Sequence, residues 1–272
     1  MTDFSLAHLT VGSLAPPDVI AVAARAGYNH AGLRLIGATP ETPAYPLMHD
    51  RAMMRETKVR MGETGIRVLD IELVRLAPET DIAGLEPFLE AGAELGAKHV
   101  ITGGYDADRS RLIERFAQLC DLAGPFGLSP VLEFFPWTVV PNLTAAFEVI
   151  EAAKRPNSGI LVDTLHFARS SSTLDELDRL PQQLFPYVHV ADAPAETPET
   201  IEDLIFTARC ERLPPGEGGI DIVGVLNHMP RNIPVALEVP MERLSRELGA
   251  EEVARRVRKA AGHVLAHVRS IR

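Results

Sequence analysis

The sequence is poor in cysteine. Only Cys120 and Cys210 occur among its 272 residues, and they lie far apart, without the close spacing of metal-binding pairs. A structural zinc site needs more cysteine, so this class of site is excluded. Two isolated cysteines are typical of reduced thiols. The N-terminal residues have neither the basic nor the apolar segment of a secretion signal, and we therefore expect a cytoplasmic protein.

The sequence also lacks an excess of basic residues and lacks long apolar runs. Its 27 lysine and arginine residues are outnumbered by 37 aspartate and glutamate residues, which gives a formal net charge of −10. Nucleic acids and anionic membranes attract positively charged surfaces, so we expect neither as a partner. No apolar run approaches the length of a membrane span. The expected partner is a small molecule, and the composition is compatible with a homo-oligomer.

Apolar, strand-like segments alternate with amphipathic, helix-like segments along the whole chain. The predicted strands are residues 6–11, 31–35, 67–73, 98–102, 130–134, 160–162, 187–192 and 235–239. The predicted helices are residues 16–26, 49–64, 84–95, 109–123, 143–154, 173–184, 201–208, 220–227 and 250–270. Alternation of this kind predicts parallel strands joined by crossover helices.

Eight such pairs in a chain of this length predict one α/β domain, residues 1–272, folded as a closed (β/α)₈ TIM barrel. No linker or change of composition divides the sequence. A doubly wound open sheet is the alternative. It is disfavoured because no Gly-x-Gly-x-x-Gly motif follows the first strand. In a closed barrel, catalytic residues come from the C-terminal ends of the strands.

One acidic residue is notable because it ends a short apolar run. Ile160, Leu161 and Val162 form the sixth predicted strand, Asp163 follows directly, and His166 comes three residues later. A buried carboxylate is usually paired, hydrogen-bonded or bound to a metal. Alternatively, Asp163 simply caps the next helix, because aspartate is a favoured cap residue.

Three further potential metal ligands occupy corresponding positions. Glu133, His189 and Glu238 lie in or at the ends of the fifth, seventh and eighth predicted strands. Each has a structural explanation, since a single histidine in an apolar strand is commonly a hydrogen-bonded core residue. Together with Asp163, however, they predict one divalent-metal site. Three carboxylates and one imidazole suit Mn²⁺, Mg²⁺ or Co²⁺, with Zn²⁺ as an alternative.

The motifs around these residues resemble those of the sugar phosphate isomerase/epimerase family of xylose isomerase-like TIM barrels, over nearly the whole chain. The matching residues are Glu133 in Leu-Glu-Phe, Asp163 and His166 in Asp-x-x-His, His189 in Val-His-Val-Ala-Asp, Glu238 in Leu-Glu-Val, and Arg212 before Leu-Pro-Pro-Gly. The resemblance implies that the metal is held by the Glu, Asp, His and Glu of the strand-end motifs. It implies that Glu133 and Glu238 are also catalytic acid/base groups. It further implies that His166 and Arg212 contact substrate oxygens and stabilise a developing negative charge.

The implied activity is a metal-dependent isomerase or epimerase acting on a carbohydrate or related polyhydroxy ketone, by removal of a proton next to a carbonyl. A metal-dependent dehydratase of an inosose- or dehydroshikimate-like cyclic ketone is the alternative, because it needs the same groups. A sugar-binding barrel without activity is a third class, and the complete ligand set argues against it. The long connection between His189 and Arg212 suggests that the substrate pocket differs from that of a simple ketose epimerase.

DNA-repair endonucleases share this fold but need extra histidine ligands for three metals. The relevant strand ends hold Glu72 and Gly103-Gly104, so a nuclease is disfavoured. Arg34, Glu72 and Trp137 remain candidate substrate-binding residues at the barrel mouth. Arg34 and Glu72 would equally form a structural ion pair, and Trp137 would equally pack against its neighbours.

Overall fold

The structure is a computed structural model that describes residues 2–39 and 42–268. Eight parallel strands form a closed barrel in sequence order, and β8 pairs with β1. The strands are β1 (Phe4–Leu6), β2 (His30–Arg34), β3 (Arg67–Leu76), β4 (His99–Gly104), β5 (Ser129–Glu133), β6 (Gly159–Asp163), β7 (Val188–Val190) and β8 (Val235–Leu237). The predicted (β/α)₈ TIM barrel is confirmed.

Helices surround the barrel. Those in the described residues are α1 (Pro16–Arg25), α2 (Arg51–Thr64), α3 (Glu86–Glu94), α4 (Arg109–Ala123), α5 (Leu143–Ala153), α6 (Thr164–Ala168), α7 (Leu174–Arg179), α8 (Ile201–Cys210), α9 (Ile222–His228), α10 (Glu242–Leu248) and α11 (Ala250–Leu265). Asp50, Asp108 and Asn142 begin α2, α4 and α5 by accepting backbone N–H groups that a helix leaves unpaired at its start. No helix in the described part of the chain is long and apolar enough to cross a membrane.

The first strand is shorter than predicted. It ends at Leu6, and His8–Val11 forms a 3₁₀ helix, so the prediction of a strand over residues 6–11 was wrong beyond its first residue. The hydroxyl of Thr10 donates to the carbonyl of Leu237 at 2.8 Å and accepts from the N–H of Val239 at 2.8 Å. These side-chain bonds hold the segment against the end of β8.

Other boundaries also differ. The seventh strand is Val188–Val190, because Asp192 leaves the barrel and forms an antiparallel bridge with Leu213. The short helices α6 and α10 were not predicted. The last helix ends at Leu265, and residues 269–270 of its predicted range lie outside the described residues.

The apolar core has two parts. The larger lies between the strands and the surrounding helices. The smaller fills the inside of the barrel with one residue from each of six successive strand segments, Leu69, Ile101, Val131, Leu161, Tyr187 and Ala236. The barrel is therefore a packed core and not a pore, and ligand-sized space remains at the C-terminal ends of the strands.

Candidate active site

A cavity of 680 Å³ opens at the C-terminal ends of the strands, which is the size of a small-molecule site. Its polar lining includes Arg34, Glu72, Glu133, His166, Arg212 and Glu238. Its apolar lining includes Leu9, Leu73, Phe135, Trp137 and Met241. Every residue predicted to bind substrate therefore lines one cavity.

The four predicted metal ligands meet beside this cavity. One donor atom of each of Glu133, Asp163, His189 and Glu238 lies within 4.8 Å of those of the other three, and all four residues are buried. Glu133, Asp163 and His189 lie in β5, β6 and β7, and Glu238 directly follows β8. Parallel strands of a barrel end at the same edge, which brings residues distant in sequence together.

The donor atoms have the character of a metal site. Both ring nitrogens of His189 and the Oε1 atom of Glu133 are buried and lack a hydrogen-bond partner among the described residues. The Nδ1 atom of His189 lies 3.6 Å from Oε2 of Glu238 and 3.9 Å from Oε1 of Glu133 and Oδ2 of Asp163. Since buried polar atoms normally have partners, these residues fit a divalent ion bound between them.

Asp163 caps a helix with one carboxylate oxygen and faces its neighbours in the metal-ligand cluster with the other. Its Oδ1 atom accepts from the N–H groups of Leu165 at 2.7 Å and His166 at 3.4 Å, which begins α6. Its Oδ2 atom faces Arg212 at 2.7 Å and His189 at 3.9 Å. The cap and the ligand interpretations are therefore compatible, because each uses a different oxygen.

Arg212 is buried and binds two of the three carboxyl-bearing residues of the cluster. Its Nη1 atom donates to Oδ2 of Asp163 at 2.7 Å and to the carbonyl of Glu238 at 3.0 Å. Its Nη2 atom donates to Oε2 of Glu238 at 2.8 Å, and its Nε atom donates to the carbonyl of Ala208 at 2.8 Å. A guanidinium has five N–H groups, so these bonds leave one Nη2 N–H for a substrate oxygen.

The cluster gives its members very different proton affinities. Burial raises the pKa of Glu133 well above its usual range. Burial acts in the same direction on Glu238, but the charges of Arg212 and His189 outweigh it and lower the pKa of that carboxyl. Burial disfavours the charged ring of His189, yet the surrounding carboxylates, led by Glu238, raise its pKa to about 10. Without a metal ion, His189 and Arg212 thus supply the positive charge of the cluster.

His166 lies between Glu133 and an aromatic wall. Its Nε2 atom is 3.8 Å from Oε1 of Glu133. The rings of Phe135 and Trp137 contact the imidazole edge-on, with centroids 4.9 Å and 5.2 Å away. Burial lowers the pKa of His166 to about 4, so the ring is neutral near pH 7 and can donate one hydrogen bond to a substrate.

Arg34 and Glu72 form an ion pair that also lines the cavity. Their Nη2 and Oε1 atoms are 2.9 Å apart, and both side chains are buried. Glu72 lies within β3 and not at its end, because that strand continues to Leu76. His8 fixes the backbone of Arg34, because its Nδ1 atom accepts a hydrogen bond from the backbone N–H of Arg34 at 2.7 Å. The charge of Arg34 offsets only part of the cost of this burial, which still raises the pKa of Glu72 above its usual value. A role of the pair in substrate binding stays a prediction.

Comparison with known proteins identifies the family. The family model of the xylose isomerase-like TIM barrel matches residues 20–260. The chain belongs to this family.

Proteins that this chain resembles are named for different activities. The chain is 26% identical over 153 residues to an inosose isomerase of Bacillus velezensis, a match that spans 52% of this chain and about half, 52%, of that protein. It has the fold of the IolI protein crystallised with a zinc atom, with a TM-score of 0.81, 20% identity and 100% of both chains covered. It also has the fold of a probable 3-DHS dehydratase, AsbF of Bacillus anthracis, with a TM-score of 0.76, 18% identity and coverage of 96% and 98%.

One residue beside the site of this xylose isomerase-like barrel, Asp192, was not among the predicted site residues. Asp192 is buried and binds the turn that follows Arg212. Its Oδ2 atom accepts from the N–H groups of Gly216 at 2.9 Å and Gly218 at 3.0 Å, and its Oδ1 atom accepts from Ile220 at 3.0 Å. An aspartate at the end of an apolar strand, followed by a Gly-rich turn, was the available signal.

Proposed function

We propose that the protein is a divalent-metal-dependent isomerase or epimerase that acts on a carbohydrate or related polyhydroxy ketone. The observation that supports this most strongly is the convergence of Glu133, Asp163, His189 and Glu238 beside a ligand-sized cavity. Membership of the xylose isomerase-like family and the resemblance to an inosose isomerase agree with it. Inososes are therefore the first substrates to test.

The four ligands would hold one ion, with Mn²⁺, Mg²⁺ and Co²⁺ preferred by three carboxylates and Zn²⁺ compatible with the same set. When bound, such an ion polarises a carbonyl group and makes the neighbouring C–H more acidic. The remaining chemistry falls to side chains of this chain. Proton removal needs a group with a free lone pair close to the substrate carbon, and proton return needs a protonated group there.

Glu133 and Glu238 are the proposed acid/base pair. They come from β5 and from the residue after β8, and their nearest donor atoms lie within 4.8 Å of each other beside the cavity. Oε1 of Glu133 has no hydrogen-bond partner among the described residues, whereas Oε2 of Glu238 is engaged by Arg212 at 2.8 Å. We assign the proton transfers at the substrate carbon to this pair: Glu133 or Glu238 removes the proton as a carboxylate, and the other of the two, in its protonated form, returns a proton on the opposite face.

The other predicted residues would bind and orient the substrate. His166, with its neutral ring, and the remaining N–H of Arg212 would donate to the oxygen on which negative charge develops. Trp137 would form a wall against one face of the substrate, and the Arg34–Glu72 pair would bind hydroxyl groups. A cytoplasmic location and a homo-oligomeric state belong to this proposal as further expectations.

Hydrogen exchange with solvent tests the proposal. Inososes, ketoses and dehydroshikimate-like ketones would be incubated in D₂O with the metal-loaded protein, and deuterium next to the carbonyl would be followed by NMR. We expect one class to gain deuterium only when metal is present. Glu133→Gln and Glu238→Gln should each abolish exchange while metal content is measured in parallel. Glu148→Gln, a change at an exposed glutamate, is the control and should retain it.

The products distinguish the competing activities. Exchange with an intact carbon skeleton and all hydroxyls retained supports an isomerase or epimerase. Loss of water identifies the alternative, a dehydratase. Turnover without solvent deuterium points to a direct hydride shift and overturns the acid/base pair. Binding of the ketones with no turnover of any of them supports an inactive sugar-binding barrel.

A further inference from the structure

Several polar atoms inside the barrel are buried without a hydrogen-bond partner in the described part of the chain. Among them are Oδ2 of Asp70, the hydroxyl of Tyr187 and Nε2 of His189, and Nδ1 of His99, whose ring stacks on that of Tyr187, is another. Asp70 is 1% exposed, and Tyr187 and His189 are 0% exposed. Leaving such groups unpaired is costly, so natural proteins pair them with protein atoms or ordered water.

The orientation of His189 separates the functions of its two nitrogens. Nδ1 faces the three carboxylates at 3.6 to 3.9 Å. Nδ1 is the ring nitrogen in these ion-pair contacts, and Nε2 is therefore the nitrogen left for a different partner. Tyr187 lies two residues earlier on the same side of the strand, and its ring contacts that of His189 with centroids 5.7 Å apart.

Asp70 reaches this region because β3 is irregular and because its neighbour on β2 has no side chain. The pairing of the two strands shifts between Ala31 and Gly32, and Gly32 then pairs with Asp70. A Cβ atom at Gly32 would lie 2.5 Å from Oδ1 of Asp70. The glycine thus leaves room for the carboxylate inside the barrel, where it interacts electrostatically with both His189 and Tyr187.

We propose that Asp70 and Tyr187 bind the Nε2–H of His189 through a buried water molecule and thereby keep Nδ1 free to ligate the metal. A neutral imidazole has one N–H and one acceptor nitrogen, so the acceptor can be Nδ1 only if the proton is on Nε2. A carboxylate is the strongest acceptor for that proton. Such partners orient the ring and raise the basicity of the nitrogen that binds the metal.

Asp70 is accordingly a positioning residue that acts through His189. This inference rests on the proposed metal site, and it adds a requirement that the four ligands alone do not impose. It also explains why a carboxylate is placed in a barrel interior otherwise filled mainly by apolar side chains. The water molecule would have the two or more polar partners that a buried water needs.

Metal affinity tests the proposal without reference to turnover. Mn²⁺ and Zn²⁺ dissociation constants would be measured by competition with a chromogenic chelator. We expect Asp70→Ala to weaken binding by about 10- to 100-fold, as loss of such partners does elsewhere. Asp70→Asn, which keeps an acceptor oxygen, should lose less, and Tyr187→Phe should lose least. Asp106→Asn is the matched control, because it changes a buried carboxylate that pairs with Arg111 instead.

The tautomer of His189 supplies a second measurement. In zinc-loaded protein labelled with ¹⁵N in its histidines, the wild-type ring should have metal on Nδ1 and a slowly exchanging proton on Nε2. In Asp70→Ala that proton should exchange faster. Wild-type affinity together with wild-type exchange in both Asp70 variants would overturn the proposal, even if their thermal stability fell.

Two controls keep the outcomes separate. If Asp70→Ala does not fold, as judged by near-ultraviolet circular dichroism, the comparison of Asp70→Asn with Asp106→Asn decides the question. If the wild-type protein binds no divalent metal, the proposed function fails and this inference fails with it. If the wild-type protein binds metal and both Asp70 variants match it in affinity and in proton exchange, only the inference fails.

Discussion

Nη1 of Arg212 donates to Oδ2 of Asp163 across 2.7 Å, and the two side chains are 2% and 0% exposed. A residue on the long connection after β7 is thereby joined to the end of β6. The same guanidinium binds Glu238, so one cation balances two buried carboxylates of the cluster. Arg212 therefore has a structural role in the cluster, and the substrate-binding role proposed for it would use its remaining Nη2 N–H.

Arg212→Ala should strongly destabilise the protein. It leaves Asp163 and Glu238 without their common cation, and breaking a buried pair in this way costs about 3–5 kcal/mol. Arg246→Ala is the control, because its exposed ion pair with Glu242 should contribute only about 0.2–1 kcal/mol. Urea unfolding of the metal-free proteins measures both. Equal loss in the two variants would contradict the structural role of Arg212.

Asp163→Asn should remove bound metal without a large loss of helix capping. Asparagine caps helices about as well as aspartate, but its amide cannot replace the anionic ligand. Asp221→Asn makes the same change at the cap of α9, where the carboxylate accepts from Gly224 at 2.8 Å. Elemental analysis of gently purified protein should find metal in the wild type and in the Asp221 variant only. Equal metal content in all three would exclude Asp163 as a ligand.

The barrel and the metal-ligand cluster were predictable because both follow from strand periodicity. Alternating segments gave the strand order, and residues at strand ends must meet at one edge of a closed barrel. Glu133, Asp163, His189 and Glu238 could therefore be selected without knowing any distance. Their roles as ligands remain predictions that the metal measurements test.

The interactions that modify this cluster were not predictable in the same way. Arg212 meets Asp163 because the long connection after β7 folds back, with its backbone N–H donating to the carbonyl of Pro240 at 2.8 Å. Asp70 faces the barrel interior because of a shift in strand pairing beside Gly32. Neither a loop path nor a bulge can be derived from residue periodicity, since both depend on contacts between distant segments.

Trp137 should report directly on occupation of the cavity. It is the only tryptophan in the sequence, and it lines the cavity against His166. Binding of an inosose or ketose should therefore change the intrinsic fluorescence of the wild-type protein in a saturable way. Trp137→Phe should abolish the signal and weaken binding measured by calorimetry, while retaining a ring beside His166. Saturable binding with no change in emission would place the ligand elsewhere.

His8 should make the metal-free protein less stable in acid. Burial lowers the pKa of His8 to about 3, whereas an unfolded chain has a histidine pKa of about 6.5. Between these values only the unfolded state binds the proton, so stability falls by about 1.4 kcal/mol per pH unit as the pH decreases. Above pH 6.5 His8 contributes no slope.

Urea unfolding from pH 7 to pH 4 measures this dependence. His8→Asn should flatten the slope relative to the wild type, because asparagine does not titrate. His49→Asn, at an exposed position, should leave it unchanged. The same slope in the wild type and in His8→Asn would show that His8 is not the group responsible.

Asp192→Ala should loosen the turn over residues 214–220 while leaving the barrel intact. The carboxylate accepts backbone N–H groups of Gly216, Gly218 and Ile220 at 2.9–3.0 Å, and alanine leaves all three without that acceptor. Hydrogen exchange followed by mass spectrometry should therefore accelerate in this turn and not in β5 or β6. Asp50→Ala, which removes a cap that accepts two N–H groups of α2, should accelerate exchange only at the start of that helix. Unchanged exchange over 214–220 in Asp192→Ala would mean that the turn is held by its backbone contacts, such as the bond from Gly219 to the carbonyl of Ala193 at 2.8 Å.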